Sequence, residues 1–129
     1  DIIQQQPLII LDVSHNEAGI AALLQQISNL NIKRKHIVIG FVKDKSLEQI
    51  LQQFPKEANY YFVQANIPRA LPRQELQQMA SNYQLKGDAY DTITDGMEAA
   101  LKHSDMNDLV LVTGSFFILE EAYRYFEKI

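Results

Sequence analysis

Side chains of types that bind nucleotides and carboxylates follow the first apolar segment of the chain. Asp12, His15 and Asn16 come just after the aliphatic run Leu8 to Leu11. An ionised aspartate accepts hydrogen bonds from hydroxyl groups, and histidine exchanges a proton near neutral pH. Taken singly, Asp12 could equally cap the helix that follows, and His15 could be an exposed loop residue. Their chemistry therefore depends on the elements that hold them and on the residues beside them.

Further candidates follow the later apolar segments. Lys45 ends the charged turn Lys43-Asp44-Lys45, and Arg69 follows the third apolar segment. Both side chains could contact a carboxylate or a phosphate, although each is by default an exposed surface residue. Ser115 follows Gly114, where glycine permits a close backbone approach and the next helix offers free N–H groups to an anion. The Gly114-Ser115 pair is therefore the more informative of these signals.

The elements that must position these residues alternate between strand and helix. The predicted strands cover residues 8–11, 36–42, 60–63, 88–90 and 109–112. Between them, apolar residues recur every three or four positions, as in helices that bury one face. Such alternation implies parallel strands joined by right-handed crossovers, with helices on both faces. The sequence therefore predicts an α/β fold with a three-layer, Rossmann-like, doubly wound and mostly parallel sheet.

A sheet of this kind collects its binding residues at one edge. In open α/β sheets, ligands bind at the carboxyl ends of the strands, near the point where the strand order reverses. Because every candidate residue named above follows a predicted strand, we expect all of them on that edge. No linker-like stretch interrupts the alternation, so residues 1–129 are predicted to form a single domain.

The composition excludes several classes of function. The 129 residues have a net charge of −4 and include no cysteine, which excludes disulfides, thiolate nucleophiles and cysteine–zinc sites. The acidic balance provides no field that would attract nucleic acid. No apolar run approaches the ~20 residues of a membrane span. We therefore expect a cytoplasmic protein with neither nucleic acid nor membrane as a partner.

Motifs of a complete catalytic centre are missing from the sequence. There is no P-loop of the form G-x-x-x-x-G-K-[ST], no G-x-G-x-x-G and no G-x-S-x-G. His15, His36 and His103 lie in separate predicted elements without metal-ligand spacing, so no metal site is predicted. His36 and His103 are interpreted as structural residues. The domain is expected to hold part of a ligand and not to catalyse a reaction alone.

The segments at the predicted strand ends resemble a known family. Leu11-Asp12-Val13-Ser14-His15-Asn16-Glu17 is similar to the D-G-A-H-N-P segment of the folylpolyglutamate synthases and bifunctional dihydrofolate synthases, members of the Mur ligase superfamily. Three further similar segments follow in the family's order. They are Gly40-Phe41-Val42-Lys43-Asp44-Lys45, Pro68-Arg69-Ala70-Leu71 and Val112-Thr113-Gly114-Ser115-Phe116. The resemblance covers nearly the whole chain, but only the C-terminal domain of the family. Val13, Ser14 and Glu17 depart from the family's glycine, alanine and proline.

The resemblance implies an ATP-dependent carboxylate–amine ligase. In this family, ATP phosphorylates a folate or dihydropteroate carboxylate, and L-glutamate then attacks the acyl phosphate. The P-loop and the Mg²⁺ ligands belong to a preceding central domain, which we expect to be missing here because the chain begins with Asp1 and not with methionine. The isolated domain is therefore expected to be inactive, with folate, dihydropteroate or both as substrates of the complete enzyme.

The resemblance also assigns roles to individual residues. Asp12 would hydrogen-bond the ATP ribose, and Asn16 would fix the same ATP-binding loop. His15 would lie near the phosphates and the incoming glutamate, as a catalytic and glutamate-binding residue. Ser115 would bind glutamate, with Lys45 and Arg69 as weaker contacts to carboxylate or phosphate.

Two other classes of protein compete with this interpretation. A flavodoxin-like binding or signalling module, such as a receiver domain, would need an acidic cluster after the first strand and an aspartate after the third. It would also need a lysine after the fifth strand. The sequence has only Asp12 after the first strand, Asn66 in place of an aspartate after the third, and no lysine directly after Val112. A free-standing hydrolase that used Ser14–His15 or Ser115 lacks a paired base at suitable spacing. The ligase interpretation is therefore preferred.

Overall fold

Strands and helices alternate through residues 2–13, 17–43 and 46–127, the part of the chain that the computed structural model describes. The six strands of this part are β1 (Ile2–Gln5), β2 (Leu8–Asp12), β3 (Lys35–Gly40), β4 (Asn59–Phe62), β5 (Gly87–Ala89) and β6 (Leu109–Gly114). Its five helices are α1 (Glu17–Ser28), α2 (Leu47–Leu51), α3 (Arg73–Ser81), α4 (Ile93–His103) and α5 (Phe116–Glu127). The elements predicted from the alternation of apolar segments are thus all present.

The strands form one mostly parallel sheet in the order β1-β2-β6-β3-β4-β5. Only β1 runs antiparallel to its neighbour within the described residues. The last strand, β6, lies between β2 and β3, with Asp12 beside Thr113 on one side and Gly40 beside Gly114 on the other. The strand order therefore reverses at β6, and the carboxyl ends of β2, β6 and β3 meet there.

Helices cover both faces of the sheet, as predicted. One apolar cluster joins α1, α2 and α3 to alternate residues of the strands, among them Ile37 and Ile39. The other joins α4 and α5 to the intervening residues, among them Val38. Successive strand residues point to opposite faces, so each buried strand supplies both clusters. The three-layer, doubly wound α/β prediction is confirmed.

Strand β1 is the main difference from the sequence prediction. It pairs antiparallel with β2, with an irregular register between Ile2 and Gln4. Ile2 is 55% exposed, and the glutamines that follow it break the apolar pattern used to find strands. The prediction of β3 as far as Val42 is also too long, since the strand ends at Gly40 and Val42 makes only an isolated bridge to Ala70.

The helices are short and amphipathic. The longest of them in the described ranges have 12 residues, and none there is long and apolar enough to cross a membrane. Each helix buries one face in the core while its polar residues meet solvent. The fold therefore leaves the loops at the sheet edges as the places where polar groups can converge.

Candidate functional site

The centre of the carboxyl edge is a direct contact between two glycine backbones. Gly114 ends β6 with a φ of +131°, a conformation that side chains other than hydrogen rarely adopt. A β-carbon at this position would lie 1.9 Å from the carbonyl oxygen of Gly40. The next residue, Ser115, donates its backbone N–H to the same oxygen at 3.0 Å. This close approach fixes the start of α5 over the end of β3.

Ser115 carries a buried hydroxyl group at the start of α5. The residue is 5% exposed, and its Oγ has no hydrogen-bond partner in the described part of the chain. Its backbone oxygen accepts from the N–H of Ile118 at 3.1 Å, whereas its side chain does not cap the helix. A buried hydroxyl without a partner is costly. The hydroxyl, together with the free N–H groups that open every helix, is arranged to bind an anion.

The loops after β3 and β4 are held together beside Ser115. The backbone N–H of Lys43 donates to the carbonyl oxygen of Arg69 at 3.0 Å, and that of Leu71 donates to Phe41 at 2.9 Å. Val42 and Ala70 pair between these two bonds. Arg69 is thus placed by backbone contacts next to the loop that follows β3, although the two segments are far apart in the sequence.

Arg69 and Ser115 line one cleft of about 180 Å³. Its remaining lining is apolar and consists of Phe41, Val42, Leu47, Ile50, Phe116 and Phe117. The guanidinium carbon of Arg69 lies 6.0 Å from the centre of the Phe117 ring, within the range of a cation–π contact. A guanidinium, a hydroxyl without a partner among the described residues and a helix N-terminus surround one apolar cleft. This arrangement suits a small molecule with a carboxylate.

Asp12 lies one strand away from this cleft. It ends β2, is half-buried and pairs in register with Thr113 of β6. Thr113 is fully buried, and its Oγ1 has no hydrogen-bond partner in the described residues. Asp12 and Thr113 occupy the same face of neighbouring strands, which are about 4.8 Å apart. The structure therefore brings Asp12 and Ser115 to the same edge without placing Asp12 in the cleft.

The other predicted site residues are not placed by the structure. His15, Asn16 and Lys45 lie outside the described residues, so their roles stay predictions. Thr113 belongs to the segment Val112-Thr113-Gly114-Ser115-Phe116 that the sequence places on this edge. Sequence reasoning missed the side chains of Phe116 and Phe117 as lining residues of the cleft. Phe116 and Phe117 are 59% and 38% exposed. In the sequence they resemble residues of the buried face of a helix, and the spacing of the apolar residues does not predict that they are exposed.

Curated relatives of the chain include dihydrofolate synthase/folylpolyglutamate synthases. A dihydrofolate synthase/folylpolyglutamate synthase from Buchnera aphidicola subsp. Schizaphis graminum is 31% identical over 118 residues, which are 89% of this chain and 28% of that protein. The dihydrofolate synthase/folylpolyglutamate synthase of Bacillus subtilis is 26% identical over 131 residues, with 96% of this chain and 29% of that protein covered. The chain thus spans less than a third of the length of these relatives.

Solved structures share the fold. FolC from E. coli in complex with DHPP and ADP superposes with a TM-score of 0.90 at 23% identity, covering 99% of this chain and 30% of that one. A bifunctional folylpolyglutamate synthase/dihydrofolate synthase with Mn, AMPPNP and L-glutamate bound gives a TM-score of 0.86 at 21% identity, covering 98% and 30%. These likenesses establish the architecture.

Residues 1–116 match the family model described as Mur ligase, glutamate ligase domain. The match includes the strand ends and loops that form the cleft, and it ends at the first residue of α5. The chain belongs to the Mur ligase glutamate ligase domain family.

Proposed function

We propose that the chain is the glutamate ligase domain of a cytoplasmic, ATP-dependent ligase that adds L-glutamate to a folate or dihydropteroate carboxylate. The observation that carries this proposal is the buried hydroxyl of Ser115, which has no hydrogen-bond partner in residues 2–13, 17–43 and 46–127 and shares a cleft with Arg69. The family match and the names of the relatives support the same reaction. In isolation the domain is expected to be inactive.

The proposed reaction has two steps. The γ-phosphoryl group of ATP moves to the carboxylate, which produces an acyl phosphate and ADP. The amino nitrogen of glutamate then attacks the acyl carbon, phosphate leaves with the C–O bonding electrons, and the nitrogen loses a proton as the amide forms. The second step requires a glutamate held with its amine toward the acyl phosphate, and such positioning can supply several kcal/mol of the rate enhancement.

The residues of the cleft would hold that glutamate. Ser115 would donate its hydroxyl hydrogen to a carboxylate oxygen, and the first N–H groups of α5 would add to this contact. The exposed guanidinium of Arg69, which lines the same cleft, would bind a carboxylate. Lys45, which lies outside the described residues, is proposed as a further contact to carboxylate or phosphate.

The loop after β2 would serve ATP. Asp12 would accept hydrogen bonds from the ribose hydroxyls, and Asn16 would hold the same loop in place. His15 is proposed to lie near the phosphates and the incoming glutamate. Thr113, beside Asp12 in the sheet, would support that loop with its otherwise unpartnered hydroxyl.

A central P-loop domain of the same polypeptide would complete the site. The relatives are more than three times as long as this chain, which leaves ample length for such a domain. No group of three histidine, aspartate or glutamate residues in the described ranges could hold a metal ion. In line with the family resemblance, we assign the Mg²⁺ that accompanies ATP mainly to the central domain.

The test is an assay of ADP release by the full-length protein with ATP, L-glutamate and either dihydropteroate or a folate. ADP release should require glutamate and one of the two carboxylates. Ser115→Ala should raise the KM for glutamate about tenfold, the effect of losing one hydrogen bond to a charged group, and leave the KM for ATP unchanged. Ser81→Ala, at the exposed end of α3, is the matched control. A Ser115→Ala effect confined to ATP, or ADP release independent of glutamate, would contradict the proposal.

A further inference from the structure

A second cavity lies at the amino edge of the sheet, opposite the glutamate ligase cleft. It measures about 430 Å³ and opens where β3, β4 and β5 begin, between His36, Asn59 and Gly87. Ligands of open α/β sheets usually bind at the carboxyl edge, so the glutamate ligase cleft does not account for the polar groups buried at this amino edge. The lining includes four basic side chains, Arg34, His36, Lys86 and His103, and one carboxylate, Asp88.

The floor of this cavity is a chain of hydrogen bonds that runs into the core. His36, which is 1% exposed, places Nε2 at 3.0 Å from Oδ2 of Asp108 and Nδ1 at 2.9 Å from the hydroxyl of Tyr61. The same hydroxyl lies 3.2 Å from Nδ1 of His103. His36 and His103, which the sequence places in separate elements, are therefore linked through the hydroxyl of Tyr61.

The buried end of this series of hydrogen bonds is Asp108, which carries a negative charge. Burial raises the pKa of Asp108, but hydrogen bonds from the Asp105 backbone and from His36, together with the charge of Arg34, lower it below its usual value. The Nε and Nη2 atoms of Arg34 lie 3.3 Å from Asp108 and 2.6 Å from Asp105, respectively. Asp108 is therefore ionised, and it can only accept hydrogen bonds.

The ionised Asp108 determines which atom donates and which accepts in each hydrogen bond from His36 to His103. His36 must carry its hydrogen on Nε2 to donate to Asp108, so the neutral ring presents a lone pair at Nδ1. The Tyr61 hydroxyl donates to that lone pair. Burial raises the pKa of Tyr61 to about 12, so its hydrogen is retained. The Tyr61 oxygen is then the acceptor for Nδ1–H of His103.

This direction decides what His103 can offer to the cavity. With its hydrogen on Nδ1, the neutral ring exposes only a lone pair at Nε2, and Nε2 has no hydrogen-bond partner in the described part of the chain. Protonation of Nε2 would convert it into a charged donor without disturbing Tyr61. Lys86, also in the lining, forms no ion pair within the described ranges. Both groups are therefore available to an anion.

We propose that this cavity binds a small oxyanion, a carboxylate or a phosphate group, between the Lys86 ammonium and Nε2 of His103, with uptake of one proton at His103. Arg34 contributes little direct binding, because Asp105 and Asp108 already neutralise it. Asp88 opposes the anion from the exposed rim, beside the phenol of Tyr90, whose pKa is raised by burial and by Asp88. Because binding takes up a proton at His103, it should strengthen as the pH falls.

The test follows the imidazole signals of His36 and His103 by NMR while sulfate or benzoate is added to the chain, whose two core clusters form within its own residues. Sulfate represents the phosphate class and keeps its charge between about pH 5 and 8, the range in which the charge of an imidazole ordinarily changes. Benzoate represents the carboxylate class. We expect the Nε2 signal of His103 to move to the position of a protonated imidazole when the anion binds. The affinity should become about tenfold weaker for each unit of pH increase in the range where the free imidazole is neutral. The tighter probe identifies the class.

Two variants and one control decide whether the cavity is responsible. Lys86→Met should weaken binding at least about fivefold, because its exposed side chain can be replaced without disturbing the core. His103→Gln should abolish the pH dependence, and the amide of glutamine can still donate to the Tyr61 hydroxyl that Nδ1 of His103 contacts. Lys102→Met makes the same change of charge as Lys86→Met on a helix residue outside the lining. Equal weakening by the two lysine variants, affinity independent of pH, or no movement of the His103 signal with either anion would overturn the proposal.

Discussion

The end of β6 lies against β3 so closely that Gly114 and Gly40 leave no room for a side chain between them. We expect Gly114→Ala to lower the free energy of unfolding by more than about 2 kcal/mol, because the methyl group meets the Gly40 carbonyl at 1.9 Å and the positive φ adds strain. Chemical denaturation measures the change. Ser81→Ala, at the exposed end of α3, is the control and should change the free energy of unfolding by less than about 0.5 kcal/mol. An unchanged stability of Gly114→Ala would show that the contact can relax.

Asp12 and Ser115 lie on the same edge but should act on different substrates. In the full-length enzyme, Asp12→Ala should raise the KM for ATP about tenfold, with little effect on the KM for glutamate. Asp105→Ala removes a carboxylate at the opposite edge of the sheet and should change neither value. Unchanged ATP kinetics of Asp12→Ala would remove this residue from the proposed ATP site.

The contact of Arg69 with Phe117 predicts a role for the guanidinium in glutamate binding. Arg69→Gln should raise the KM for glutamate roughly tenfold, because a carboxylate loses a charged donor. Arg69→Lys should recover only part of the affinity, since lysine lacks the planar group that lies over the ring. Arg124→Gln, which breaks only an exposed pair with Glu120, should leave the kinetics unchanged. Equal effects of Arg69→Gln and Arg124→Gln would argue against the assignment.

Asp108 makes the stability of the fold dependent on acid. Because folding lowers the pKa of Asp108, the unfolded chain binds more protons in the acidic range. The stabilisation by ionised Asp108 is therefore complete above the pKa of this side chain in the unfolded chain, about 4. It is lost as the pH falls through the lower pKa of Asp108 in the folded protein. Asp108→Asn should cost about 2 to 3 kcal/mol at neutral pH, and the difference from the unchanged protein should shrink in acid. Unfolding measured against pH provides the comparison.

The exposed neighbour of Asp108 is the control for that experiment. Asp105 is 67% exposed and pairs with Arg34 at 2.6 Å. Exposed ion pairs stabilise proteins by less than about 1 kcal/mol, so Asp105→Asn should have a small effect. If both variants cost the same, burial of Asp108 would not be the reason for its effect.

The alternation of apolar segments was enough to predict the sheet, its two covered faces and the edge that carries the cleft. That pattern is local, and parallel α/β folds follow from it directly. The pairing of Arg69 with Phe117 and the chain from Asp108 to His103 are not local. They depend on strand register and on loop packing that bring together residues such as His36 and Asp108, 72 positions apart. Ser115 can be predicted as a binding residue because glycine followed by serine at a strand end permits a close backbone approach beside a helix N-terminus. Phe117 has no comparable signal in the sequence, because its role depends on its exposure in the structure.

Strand β1 has a consequence for how the protein behaves in concentrated solution. It covers the outer side of β2, whose aliphatic residues would otherwise present open backbone groups to another molecule. Uncovered apolar edges pair between chains and lead to aggregation. The opposite edge, β5, has only three residues, too few to serve as a template. Removal of residues 2–5 should therefore cause self-association that grows with concentration, detectable by light scattering, even where the core remains folded.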